Sequence, residues 1–270
     1  MKNLETPNIQ EFNKLYSESI FIQRNVFFKL NEFYNTLSRA LHREEIEQVS
    51  EIEQVSDFFK VSTNGEFYNA LNYKINHTIK SLVMVNFYID KIKPDDYWMS
   101  ENSQVLPDYD QSDRYTKDWF DYFSDNFFIQ ISSSFDLLGN ILNNFLYLHN
   151  DNPDFDSIIN CLNKKTNEKK FGKDTLKVFE EIRSKIKDDI IDAPIYKKYK
   201  ILRNDTVHNI PHSYPFQKVI TKRDSYKKIT EVSIMPTYLK SKDRIITMNT
   251  MADLFLNTLD IFIERINQRD

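Results

Sequence analysis

The chain has 270 residues, enough to bury one sizeable core, and 40 acidic against 36 basic side chains leave a formal net charge of −4. That balance excludes a protein that grips nucleic acid by broad phosphate neutralisation, so any such contact must be local. A single cysteine, Cys161, excludes an intramolecular disulfide and a cysteine-based metal site, and three glycines are too few for an all-β or doubly wound fold.

The eight prolines fall between apolar-periodic segments, as helix punctuation does, and the natural reading is all-α. No apolar run reaches the roughly 18 residues of a transmembrane helix. The opening MKNLETPNIQ lacks the apolar core of a signal peptide, so the expected location is cytoplasmic with no membrane partner.

In chain order, residues 8–42 read as one long amphipathic helix, with Ile9, Phe12, Leu15, Tyr16 and Ile20 followed by Phe27, Leu30, Phe33, Tyr34 and Leu37. Glu45–Ser50 and Glu51–Ser56 repeat EIEQVS, a duplication expected on a surface helix. A further helix is predicted from Glu66 to about Lys91, ending before Pro94. Residues 94–115 read as a loop whose aromatics, Tyr97, Trp98, Tyr109 and Tyr115, are expected to pack onto the fold, with base stacking as the alternative.

The strongest periodicity, Phe120, Phe123, Phe127, Ile131, Phe135, Leu138, Leu142 and Phe145, predicts a helix from Thr116 to His149 with Ser132, Ser133, Asp136, Asn140 and Asn143 on its other face. Shorter helices follow over 154–164 and 174–189, each opened by an aspartate. Pro194 suits the first turn of the next helix, which should end by Ile210 because Pro211 follows. Val219–Thr221 and Ile229–Ile234 are β-branched and predict a small hairpin, and a last helix is expected from a cap at Asn249 or Thr250.

The helix after Pro194 carries the chemistry. On a wheel of about 100° per residue, Ile195, Tyr199, Leu202, Thr206 and Ile210 share one face, with Arg203 inside that apolar arc at about 80°. Asn204 and His208 lie together on the other side, at about 180° and 220°. A guanidinium on a buried face needs an acid, a groove or an interface, and Asp136 on the preceding long helix is the candidate acid. His208 falls in the last turn, where the negative end of the helix dipole should favour the imidazolium. An imidazole near neutrality beside a fixed cation suits phosphodiester chemistry. No Gly-rich phosphate loop, H-E-x-x-H or G-x-S-x-G is present, and His42, His77 and His149 have no partners at metal-ligand spacing, so neither metal nor cofactor is expected.

The run Tyr199-Lys-Ile-Leu-Arg203-Asn204-Asp-Thr-Val-His208 resembles the signature of the HEPN superfamily: an Arg, commonly followed by a polar residue, then a His after a gap of four to six. The resemblance covers residues 116–270 and implies an HEPN-like helical bundle carrying the R-x4-H motif, with residues 1–115 as a helical extension ending in the aromatic loop. It further implies a homodimer whose two motifs face one cleft, with RNA as substrate. Cleavage is then metal-independent and begins with attack of the ribose 2′-OH. His208 acts as general base or acid, Arg203 stabilises the phosphorane-like transition state, and Asn204 orients His208 or the phosphate. Tyr199 and His212 are candidate substrate contacts and Asp136 a supporting residue. Members of the family include toxins and anti-phage effectors, which implies an antitoxin or defence-system protein as partner. Other members have lost catalysis, so the alternative is a silent dimer that binds RNA, a nucleotide or a protein. A helical adaptor in which the motif is coincidence is the third reading.

Overall fold

A computed structural model describes residues 6–42, 51–98, 110–146, 148, 150, 151, 153–162, 168–208, 217–223, 228–236 and 239–268. Helix α1 (Ile9–Glu18) begins at Asn8, whose side chain accepts from the Gln10 and Glu11 amides while Glu11 reaches back to the Asn8 N–H. The single helix expected over 8–42 is in fact broken twice. Ser19 takes extended backbone before α2 (Ile20–Gln23), and Asn25 sits at φ 53 before α3 (Val26–His42). Asparagine is among the few residues that tolerate the left-handed region. The corner is held from the far end of the chain: Arg24 grips Asp253 at 2.7 Å and Asp260 at 2.8 Å, and Lys29 also pairs with Asp260.

Helix α4 (Glu51–Ile89) starts well before the predicted Glu66. The Thr63-Asn64-Gly65 stretch reads as a break, yet the helix runs through it, and a Cβ at Gly65 would meet nothing within 4 Å. The second EIEQVS copy opens this helix; the first, Glu45–Ser50, lies outside the described residues. Part of the expected 94–115 loop is helical: α5 (Asp95–Trp98) follows Pro94, and α6 (Gln111–Phe145) is capped by Asp110. Tyr97 and Tyr115 are 38% and 49% exposed, so both are only partly covered by the fold, and the Trp98 side chain and Tyr109 lie outside what is described.

Helices α4 and α6 run antiparallel as the spine: Asn126 donates to Ser81 Oγ at 2.7 Å, and Tyr88 stacks on Phe123 three residues earlier in α6. Phe135 of α6 is the centre of the remaining packing. It touches Phe155 of α7 (Phe155–Cys161) at 5.1 Å, Tyr196 of α9 (Pro194–His208) at 5.6 Å and Phe255 of α10 (Ser241–Asn267) at 5.2 Å. Such ring pairs contribute beyond their buried area. Helix α8 (Glu168–Ile186) begins earlier than the predicted 174, and a π-helical turn, Lys187–Ile191, joins its end to the approach to α9. Strands β1 (Gln217–Arg223) and β2 (Ile229–Pro236) pair antiparallel, Val219 opposite Ile234 and Thr221 opposite Val232. Helix α10 starts at Ser241 rather than near Asn249 or Thr250, whose side chains instead bond back to Ile245 and Ile246 within the helix. Its cap comes from α5, where the Asp95 carboxylate accepts the Ser241 N–H at 3.1 Å and hydroxyl at 2.8 Å. No helix among the described residues is long and apolar enough to cross a membrane.

Candidate functional site

Helix α9 turns Tyr196, Tyr199 and Leu202 into the core, each under 5% exposed, while Lys197, Lys198, Lys200, Ile201 and Asn204 face outward. Arg203 sits between these faces, half-buried, as its place in the apolar arc requires. Its Nη1 donates to Asn204 Oδ1 at 2.9 Å. Among the described residues it forms no ion pair with a carboxylate, the expected Asp136 included, although its charge is felt at Asp136.

Helix α6 supplies the opposite wall. Ser132 lies beside the buried Tyr199 hydroxyl. Asp136 is half-buried and lies near the Phe155 backbone N–H, whose dipole favours its charged form. Burial pushes its carboxyl above the usual range; the Phe155 N–H and the charges of Arg203 and Lys200 pull the other way, and Asp154 adds to the rise. Gly139 makes this contact geometrically accessible, since a Cβ there would lie 3.0 Å from the Pro153 carbonyl oxygen and 3.1 Å from Phe155 Cα. Both are backbone atoms, so any larger residue at 139 would need the start of α7 to give by a few tenths of an ångström. On the adjoining turn Tyr196 donates to Asp156 Oδ1 at 2.9 Å, and Lys200 pairs with the other oxygen of the same carboxylate. Burial raises both tyrosine hydroxyls well above their ordinary value, so both stay neutral, and Tyr196 acts as a donor to Asp156.

The fold thus brings Tyr199, Arg203, Asn204 and Asp136 to one place. His208 is the last residue of α9, but only its backbone is described, and His212 lies outside the described residues. Ser132, the Phe155 N–H, Gly139, Tyr196, Asp156 and Lys200 join the site without having been singled out for it from sequence. A backbone N–H has no sequence signature, and the Asp156–Lys200 pair links positions 44 residues apart. Among the described residues no group of three His, Cys, Asp or Glu side chains is placed to hold a metal ion.

The raised Asp136 carboxyl has a measurable consequence. The folded state binds that proton more tightly than the unfolded state does, so its contribution to stability falls as pH rises from the ordinary 3.8 to the elevated value. Asparagine at this position does not titrate. The melting temperature of Asp136→Asn relative to wild type should therefore increase as pH is raised through that window, and a difference that is flat with pH would contradict the assignment.

A family model described as Cthe2314-like HEPN matches residues 67–267, from within α4 to the end of α10, and so takes in every wall of this site. No curated protein and no solved structure matches the chain.

Proposed function

Because the chain belongs to the Cthe2314-like HEPN family, we propose that it is a metal-independent endoribonuclease whose cleft is formed by the motifs of two copies. The observation that carries this reading is the state of Arg203: half-buried, oriented by Asn204, without an ion pair among the described residues, and beside a wall that holds Asp136. A cation fixed in this way meets developing phosphorane charge with little reorganisation. In the proposed reaction the ribose 2′-oxygen attacks phosphorus as a base removes its proton. The 5′-oxygen leaves with a proton from an acid, giving a 2′,3′-cyclic phosphate and a 5′-hydroxyl. His208 fills one of these roles, and with one such histidine per motif the second copy supplies the other. Asn204, by accepting from Arg203, sets the plane of the guanidinium. Tyr199, 2% exposed, is too deeply buried for the substrate contact expected of it and instead backs the Arg203 wall from the core, which leaves His212 as the candidate substrate contact.

In the proposed dimer the second copy covers the outward face of α9, where Ile201 is 59% exposed beside Asn204. The homodimer is expected to bury about 1,200 Å² or more in total. The purified protein should cut single-stranded RNA in EDTA and leave cyclic phosphate ends. Strict dependence on a divalent metal rejects the mechanism, and a monomer at micromolar concentration by light scattering rejects the composite cleft. A folded dimer that binds RNA without cutting it would instead be the silent form of the family. Cleavage of cellular RNA would suit a toxin or anti-phage effector, held in check by a partner protein.

A further inference from the structure

Lys200 lies one turn before Arg203 on α9. At about 100° per residue the two are about 60° apart, and side chains at this spacing are neighbours, with Cβ atoms about 5–6 Å apart. The charges of both are felt at the same carboxyl, Asp136 of α6. Lys200 is also fixed in place. Its ammonium pairs with Asp156 of α7 and lies 5.5 Å from the centre of the Tyr196 ring. Asp156 is held in turn by the hydroxyl of the buried Tyr196 at 2.9 Å. The Lys200 side chain is still 45% exposed, and an ammonium has three donors, of which the bond to Asp156 uses one. A half-exposed pair of this kind contributes little to stability, so an arriving anion can share the ammonium at small cost. The chain as a whole carries net charge −4, yet α9 holds Lys197, Lys198, Lys200 and Arg203 against Asp205 alone. The local cationic contact that the overall charge demands is thus concentrated on the helix of the R-x4-H motif.

Resting on the ribonuclease reading, we propose that Lys200 is a second phosphate-binding residue of the site, taking the RNA phosphate next to the scissile one while Arg203 holds the scissile one. Two cations one helical turn apart call for a ligand whose negative charges recur at short intervals. Consecutive phosphates of one strand supply that, whatever the bases. Asp156 and the Tyr196 ring hold the ammonium before substrate arrives, so less side-chain freedom is lost on binding. The residue types divide the work. A planar guanidinium grips two oxygens of the reacting phosphate, whereas a compact ammonium serves as a point charge for a phosphate that has only to be positioned. Lys198 is the natural contrast: it is exposed on the same helix but about 160° from Lys200 around the axis.

The test uses the full chain and a short single-stranded RNA carrying 2′-O-methyl groups, which cannot be cut by 2′-OH attack. Lys200→Gln should weaken its binding by roughly ten-fold, as for one lost hydrogen bond between charged groups, and lower the log–log salt slope by about 0.7. Lys200→Arg keeps the charge and should bind within about two-fold of wild type. Lys198→Gln removes the same charge from another face and should change neither affinity nor slope. A dinucleotide, whose single phosphate is the scissile one, should bind wild type and Lys200→Gln alike. In cleavage of unmodified RNA the Lys200→Gln loss should appear in KM and not in kcat, because the contact is equally made in the ground and transition states. Equal losses in Lys198→Gln and Lys200→Gln reveal a diffuse charge effect and overturn the proposal. So does unchanged RNA affinity in folded Lys200→Gln, and a shift to monomer with that affinity intact assigns Lys200 to a protein contact instead. If unmodified RNA is not cut while the Lys200-dependent binding holds, the ribonuclease reading falls and the phosphate site stands.

Discussion

His208→Ala should lower the rate of RNA cleavage by roughly 10²–10⁴-fold, the range for loss of a general acid or base. The melting temperature should stay within the small range of an ordinary surface change. Arg203 gives the sharper companion result. Its Nη1 is bound to Asn204 Oδ1, and the planar fork of a guanidinium suits two oxygens of one phosphate. Lysine would keep the charge but lose the planar fork, so Arg203→Lys should fail nearly as badly as Arg203→Ala, by about 10²–10³-fold for a lost oxyanion-type contact. If Arg203 serves stability alone, both variants and Asp136→Asn should lower the melting temperature together. Cleavage and thermal unfolding measured on the same preparations separate the two roles, and activity surviving in folded Arg203→Ala would end the assignment.

The parts of this protein that could be read from its residues are those written in local periodicity. Phe120, Phe127, Ile131, Phe135 and Leu142 recur at helical spacing and are all buried in α6, and Pro194 opens α9 as its fixed φ favours. The missed features are set by distant partners. Asn25 turns the N-terminal helix because Arg24 is pinned to Asp253 and Asp260, over two hundred positions away, and nothing near it in sequence announces the bend. The start of α10 was hidden because its cap, Asp95, lies 146 residues upstream. Conversely, Gly65 looks like a helix stop but costs only about 1 kcal/mol in a helix interior, less than the packing of α4 on α6 returns. At the site the same division holds. Arg203, Asn204 and Tyr199 could be placed on a wheel, whereas the neighbour of Asp136, the Phe155 N–H, depends on how closely α7 approaches Gly139.

Arg244→Ala should be the most destabilising single change in the bundle that leaves the site residues untouched. Arg244 is 1% exposed and lies between two carboxylates of α6, bonded to Asp121 at 2.7 Å and also to Asp125. Lys117, 6% exposed, holds Asp121 from the other side, and both cations lie 5.7 Å from the centre of the Phe120 ring. Burial favours the neutral forms of Lys117 and Asp121, and their attraction to each other and that of Arg244 for Asp121 oppose it. Removing the guanidinium takes from Asp121 and Asp125 the buried cation they share, a loss that costs about 3–5 kcal/mol. At about 2–4 °C per kcal/mol for a chain of this size class, the melting temperature should fall by about 6–20 °C. Replacing the whole cluster at once, with Lys117→Met, Asp121→Leu, Asp125→Leu and Arg244→Met, removes every desolvated charge together and should recover most of that loss. Recovery identifies the penalty as unpaired charge. If the quadruple variant is as unstable as Arg244→Ala, the loss comes from packing around Phe120, and the ion network is not what joins α10 to α6.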